Sequence, residues 1–510
     1  MLWNFHEMMR LFANSDKSKL LRKGNFGLEL ESQRITPSGD LALTPHPLIF
    51  GDKCQNPRIT TDFAESQVEM ITPTYGSLSE VYASLQEIRA EVEYGIQDEL
   101  LWPLSMPPRL PSEEQIPIAR FSDSKIGRHK EIYRRGLALR YGKKMQMISG
   151  IHYNFSFSDE LLDYLFVQYG SENEKREFMD RVYLALSRNF LRNRWLLIYL
   201  FGASPFCDPT YYSVIEKELK VISQYCTCCC NASKDLYQYT TSLRVSRFGY
   251  SNTSQNSYNV FFNSLEEYAD KLRQMLKREN PQYTKLGLFE NGVPIQLNGN
   301  VLQNESEFYS SIRLKRKTAE GETQLDALTE RGVQYIEVRM LDLNPFEQLG
   351  ISQGQLYFLQ VFMLYCLFEQ SEKMTAGELE QINANHHLVA LYGRKNSLML
   401  RSEKEEMISL QDFGEMIFQK LKPVARLMDE HTGNCLYQQS VQAEYNKLMD
   451  ISLLPSARME RERQENKESF LEFGIRQAVK HSLKDSALAY DPVIQFSRSP
   501  HEETCGGNIC

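Results

Sequence analysis

Long hydrophobic runs are missing from this 510-residue chain. Its most apolar stretches, Trp195 to Phe206 and Leu356 to Phe368, hold about 12 or 13 residues, short of the roughly 20 that a bilayer-spanning helix needs. They read as buried segments. The first residues, Met1 to Asn25, also lack an uninterrupted apolar core, because Asp16, Lys17, Lys19, Arg22 and Lys23 break it. That segment reads as an amphipathic helix of the fold rather than an export signal. Excess charge is lacking too. The 58 basic and 66 acidic residues leave a net charge of -8, which argues against broad binding to nucleic acid or to an anionic membrane surface. The ten cysteines show no metal-ligand spacing. Cys226, Cys228, Cys229 and Cys230 crowd together, Cys505 and Cys510 lie at the tail, and no second CxxC or histidine pair follows. Free thiols in a reducing, cytoplasmic compartment are expected. Internal repeats, a Walker-type glycine loop, GxGxxG after a strand and a GxSxG elbow are all absent.

What is present is acidic alternation. In Gly27-Leu28-Glu29-Leu30-Glu31 a strand would put Glu29 and Glu31 on one face, with Leu28 and Leu30 on the other. Like charges so placed suit either a half-exposed edge with solvated glutamates or a site where a divalent cation or a shared proton separates them. Thr36 to Asp40 carries proline, glycine and side-chain turn formers, so the chain turns there. The segment Ile59 to Ile71 repeats the pattern. If extended, it aligns Glu65, Gln67 and Glu69 on one face, with Asp62 just before them. Two acid-bearing strands could build an all-oxygen magnesium site, although solvated faces give the same composition.

Helical spacing predicts a helix over Leu78 to Leu100, and the prolines of Trp102 to Pro108 exclude one there. Gly127 to Lys144 is strongly basic and reads mostly as a solvated helix face, from which some arginines could reach anionic substrate groups. In Gly150 to Ser156, His152, Asn154 and Ser156 share a polar strand face opposite Ile151, Tyr153 and Phe155. Thr210 to Tyr239 is the least regular stretch and reads as a loop insertion. Tyr335 to Met340 again alternates, with Glu337 and Arg339 on one face: a structural pair, or a metal ligand beside a phosphoryl-binding cation. From Gln353 onward the chain reads as mostly helical, ending in a polar, disordered tail over residues 497–510.

Several longer motifs then become specific. GLELESQRI, ITTDFAESQVEMITP, WPLSMP, YRRGLALRYGKKMQMISGIHYNFS, YLFGASP, TSLR, LGLFENG, NGNVLQNESEFYSSIR and YIEVRMLDLNPF occur in this order. Their order and spacing resemble those of the proteobacterial-type glutamate-cysteine ligases, from about residue 20 to about residue 430. The resemblance implies an α+β fold with a glutamine-synthetase-like antiparallel trough, in a single catalytic domain spanning 1–510. A helical section over 431–496 would follow the core. It also implies ATP-dependent ligation of the glutamate γ-carboxyl to the cysteine amine through an acyl phosphate, the first step of glutathione synthesis, with Mg2+ or Mn2+.

By the same resemblance Glu29, Glu31, Asp62, Glu69, His152 and Glu337 match the metal region, with Glu65 a weaker candidate. Arg339 matches the phosphate-contacting arginine and, with Glu29 and Glu337, makes the catalytic set. Arg244 and Arg134 would hold substrate carboxylates. Phe63, Tyr133, Leu137, Gln146, Tyr250 and Tyr309 would receive cysteine. The partners are then glutamate, cysteine and ATP, without nucleic acid or membrane, in a monomer or weak oligomer. The chain departs from the family pattern around Lys217 to Asp235 and beyond about residue 430. It has no room for a fused ATP-grasp half, so the single reaction is expected. A ligase of the same mechanism using another amine, and a non-catalytic glutamate- or thiol-binding relative, are the competing readings.

Overall fold

The computed structural model describes residues 3–13, 16–170, 175–223, 237–249, 255, 258–402 and 405–483. At its centre lies a seven-stranded, wholly antiparallel sheet built from six strands in the order β2-β3-β1-β5-β9-β8, with a short β4 paired to the far end of β1. The strands are β1 (Gly24–Ile35), β2 (Ile59–Thr61), β3 (Gln67–Ile71), β4 (Leu100–Leu101), β5 (Ile151–Phe157), β8 (Ile312–Lys315) and β9 (Tyr335–Leu341). Two small ladders lie apart from it: β6 (Phe289–Glu290) with β7 (Val293–Pro294), and β10 (Met399–Arg401) with β11 (Met407–Ser409). Sheet and helices together give the expected α+β class.

Alternation along the strands decides which face is buried. Leu28, Leu30, Val68, Met70, Tyr153, Phe155, Ile336 and Val338 point into the main core. Helix α2 (Leu78–Gly95), capped by Ser77 accepting from the Glu80 amide, packs on β1 and β3. Helix α4 (Asp159–Tyr169) packs on α5 (Lys175–Phe201), the longest described helix, which packs in turn on β8 and β9 and against the helix Gln353–Phe368. Of the two apolar runs of the sequence, Leu356 to Phe368 lies in the helix Gln353–Phe368 and Trp195 to Phe206 spans the end of α5 and the loop after it; both are buried as expected. No described helix is long and apolar enough to cross a membrane. Burying one face of the sheet leaves the polar stripe of each strand to face outward together.

The structure departs from the sequence reading at several elements. The amino-terminal segment is two pieces, α1 (Phe5–Ala13) and a 3-10 turn (Asp16–Arg22), anchored separately by buried Met8 with Phe12 and Leu20 with Leu21. Ile59 to Ile71 is not one extended strand but a tight hairpin, in which the Gln67 amide donates to the Ala64 carbonyl at 3.0 Å. Thr210 to Tyr239, expected to be a loop, contains the helix α6 (Tyr212–Ser223), whose start is anchored by buried Tyr211 donating to the Phe248 carbonyl. The expected turn at Thr36 to Asp40 is present, with Gly39 at φ +80° supplying the left-handed conformation that side chains disfavour. The cysteines at 226–230, Cys505, Cys510 and the tail lie outside the described residues. Cys54, Cys207, Cys366 and Cys435 are free thiols, as expected.

Candidate active site

The outward polar stripes meet in register. Glu31 on β1 faces Glu69 on β3, Glu29 on β1 faces His152 on β5, and Asn154 on β5 faces Glu337 on β9, which in turn faces Arg313 on β8. Asp62 joins them from the turn after β2. All of these except Asn154 line a cavity of about 900 Å3. All six expected metal-region residues line it. Glu65 does not. The hairpin turns it away, so that its carboxylate accepts from Lys53 Nζ at 2.6 Å and from the His46 amide at 2.7 Å beside a neighbouring groove.

The floor is tightly linked. One oxygen of Glu29 lies 2.8 Å from His152 Nδ1, and the other accepts from Asn154 Nδ2 at 2.8 Å. Glu31 accepts from the Gly150 amide at 2.8 Å, and its second oxygen lies 3.6 Å from His152 Nε2. Glu337 accepts from Arg339 Nη1 at 2.9 Å. Charge is divided across the cavity: Glu29, Glu31, Asp62 and Glu69 lie on β1, β3 and the β2 turn, whereas Glu337 sits among the cations Arg313, Lys315 and Arg339 on β8 and β9.

That division sets the protonation of the acids. Burial, together with the facing Glu29, Asp62 and Glu31, holds the Glu69 carboxyl well above the usual carboxylate range. Burial also raises Glu31. At Glu337 burial is outweighed by Lys315, Arg339 and His152, so its carboxyl stays well below that range. At Glu29 the upward push of burial is overcome by the hydrogen bond and charge of His152, giving a lowered value.

Such a set fits a divalent cation. Glu29, His152 and Glu337 offer ligand atoms within 4.8 Å of one another. One Glu337 oxygen is buried without a hydrogen-bond partner, the Lys315 ammonium lying 3.6 Å away. The carboxylates are donors suited to magnesium or manganese, with the imidazole the softer ligand of the set.

The walls carry the remaining candidates. Helix α3 (Lys125–Tyr141) presents Tyr133, Arg134 and Leu137; Phe63, Gln146 and Tyr309 line the same cavity. The Arg134 guanidinium donates to the carbonyls of Asp62 and Thr61 and stacks over Phe121, 4.6 Å from the ring centre. Arg244, buried, donates to the Arg339 carbonyl at 3.0 Å and lies 4.0 Å from Asp342. Tyr250 lies outside the described residues.

Sequence reasoning missed four residues of this site: Arg313, Lys315, Asn154 as a partner of Glu29, and Asp342 beneath Arg244. Lys315 was detectable, since Ile312-Arg313-Leu314-Lys315 alternates as β9 does. Asp342 lies past the alternating run, and only the fold brings it under Arg244. Arg140, expected on a solvated helix face, is instead buried in an ion pair with Glu307.

Comparison with known proteins points one way. The family profile described as glutamate-cysteine ligase matches residues 9–389. A glutamate–cysteine ligase from Clostridium acetobutylicum is 56% identical over 479 residues, covering 94% of this chain and 100% of that one. The enzyme of the same name from Pseudomonas putida is 41% identical, covering 91% of this chain and 86% of its own length. Among solved structures, the Francisella tularensis glutamate–cysteine ligase in complex with AMP superposes with a TM-score of 0.83 at 31% identity, covering 93% of this chain and 91% of that one. A bifunctional glutathione synthetase from Pasteurella multocida gives a TM-score of 0.72 at 29% identity, with 94% of this chain matched to 54% of that one.

Proposed function

This chain belongs to the glutamate-cysteine ligase family, and from that premise we propose that it joins the γ-carboxyl of L-glutamate to the amine of L-cysteine at the expense of ATP, as the first step of glutathione synthesis. The observation that carries the site assignment is the polarised floor: Glu29, His152 and Glu337 within metal-ligand reach of one another, with Arg339 bonded to Glu337.

A carboxylate is a poor electrophile, so activation comes first. The γ-carboxylate attacks the terminal phosphorus of ATP, the bond to the bridging oxygen breaks, and ADP leaves with the electron pair. The amine then attacks the γ-glutamyl phosphate, phosphate departs, and the amine loses a proton. The chain's own residues set the stage for both steps. Arg339, held by Glu337, and Lys315 beside it place positive charge where the transferring phosphoryl group gathers negative charge. Arg244 and Arg134 offer guanidinium groups to the substrate carboxylates. Glu29, Glu31, Asp62, Glu69, His152 and Glu337 would hold magnesium or manganese, which when bound neutralises nucleotide oxygens. Phe63, Tyr133, Leu137, Gln146 and Tyr309 enclose a small acceptor that would not admit a bulky amine, and a cytoplasmic monomer or weak oligomer is in keeping with these small-molecule substrates.

The test is an amine panel. Purified protein with ATP, magnesium and glutamate is expected to release phosphate fastest with cysteine. Equal or faster release with a non-thiol amine overturns the acceptor assignment, and no release with any amine overturns catalysis.

A further inference from the structure

The acceptor end of the cavity is assembled from parts far apart in the chain, and one carboxylate holds them together. Glu307 sits in a 3-10 turn (Glu305–Glu307), its side chain 1% exposed. It accepts from Arg140 Nη1 at 3.0 and 3.2 Å through both oxygens, from the Tyr141 hydroxyl at 2.6 Å and from the Gln303 amide at 2.6 Å. Arg140 reaches on to Gln296 Oε1 at 2.9 Å and the Asn298 carbonyl at 2.6 Å. The Gln303 side chain donates to the Tyr133 carbonyl at 3.2 Å, and Gly136 permits this approach, because a Cβ there would stand 1.9 Å from Gln303 Oε1. On the other side Gln255 donates to the Glu307 carbonyl at 3.0 Å and accepts from the Tyr309 amide at 2.9 Å. Helix α3, which supplies Tyr133 and Leu137, is thereby tied to the strap that supplies Tyr309.

We propose that Glu307 is a positioning residue for acceptor selection: by clasping Arg140 it sets the spacing between Tyr133 and Leu137 on one wall and Tyr309 on the other. The inference rests on the reading of this pocket as the acceptor site. A buried, charge-assisted contact, here one guanidinium nitrogen against both carboxylate oxygens, resists displacement, because removing either partner leaves the other charge buried and unpaired. A small-molecule pocket distinguishes isosteres only while its walls keep their spacing. The clasp touches no reacting atom, so its loss acts on acceptor binding rather than on activation of glutamate.

The experiment compares Glu307→Gln and Arg140→Lys with the parent protein. The expected result is a KM for cysteine raised roughly tenfold, a reduced preference for cysteine over 2-aminobutyrate, and unchanged KM values for glutamate and ATP. Arg140→Lys, which keeps the charge but not the fork, is expected to fall between parent and Glu307→Gln. An unmoved cysteine KM, or equal rises for all three substrates with a lowered melting temperature, overturns the proposal. If Glu307→Gln does not fold, Arg140→Lys decides by the same criteria. Leu137→Ala tests the pocket reading separately. An unmoved cysteine KM in that variant refutes the acceptor site, whereas a raised value there beside an unmoved one in Glu307→Gln refutes the clasp alone.

Discussion

At the scale of single residues, the acids of the cavity floor carry a cost that a bound cation would relieve. Glu69, half-buried, faces three other carboxyl groups, and its carboxyl is held well above the usual range. For a group whose folded value is raised, the stability it contributes is present below the ordinary carboxylate range and is lost as pH rises through the folded value. Metal-free protein should therefore lose thermal stability as pH rises above that range, and Glu69→Gln should flatten this decline. The comparison is a set of melting curves in a chelator across pH, repeated with magnesium. A decline as steep in Glu69→Gln as in the parent would remove Glu69 as its source, and magnesium that fails to raise the parent's melting temperature would count against the metal site.

Among elements, the start of β5 does more than lay down a strand. Gly150 donates its amide to Glu31 and lies under the Arg244 guanidinium, where an added Cβ would stand 1.9 Å from Nη2. The atom met is the far end of an arginine, but that arginine is buried and bonded to the Arg339 carbonyl, so its freedom to yield is small. Gly150→Ala is expected to raise the KM for glutamate roughly tenfold or more, while the sheet register keeps the fold intact. Steady-state kinetics with each substrate varied in turn, alongside circular dichroism, measure this. Unchanged glutamate KM would show that Arg244 does not hold that substrate. The same element shows how much was legible in advance. The alternation of β1, β5 and β9 places Glu29, His152, Glu337 and Arg339 on polar faces without reference to the fold. Glu65 obeys the same alternation in the sequence, yet leaves the site because the chain reverses between β2 and β3. Alternation shows which residues share a face only while the chain stays extended.

On the scale of the whole molecule, the carboxyl-terminal helices are fastened to the core rather than appended to it. In the helix Phe470–His481, Gly474 lies against Trp102, where an added Cβ would be 1.9 Å from the ring. Phe470 packs on the same ring at 5.7 Å, edge to face. His481 Nε2 lies 2.8 Å from the Pro345 carbonyl, and the Leu483 amide donates to Glu93 on α2 at 2.6 Å. We therefore read the described chain as one cooperative unit, in which Gly474→Val should cost about 1–3 kcal/mol by overpacking. Activity and secondary structure should be lost in the same thermal transition. A separate early transition that spares activity would show instead that this section is an independent unit.

The sequence by itself determined the alternating strands, the buried helices and the family motifs, because period and local composition act over a few neighbouring residues. It thereby supplied the acids, the histidine and the arginines of the floor. Only the tertiary structure decided which of these meet. Cross-strand register sets Glu29 against His152 and Glu31 against Glu69. The β2 to β3 hairpin removes Glu65. Burial turns Arg140 from a solvated charge into one half of an ion pair with Glu307, 167 residues away in the chain. Contacts at such separations depend on how elements pack, and packing is a property of the whole chain that no local pattern contains.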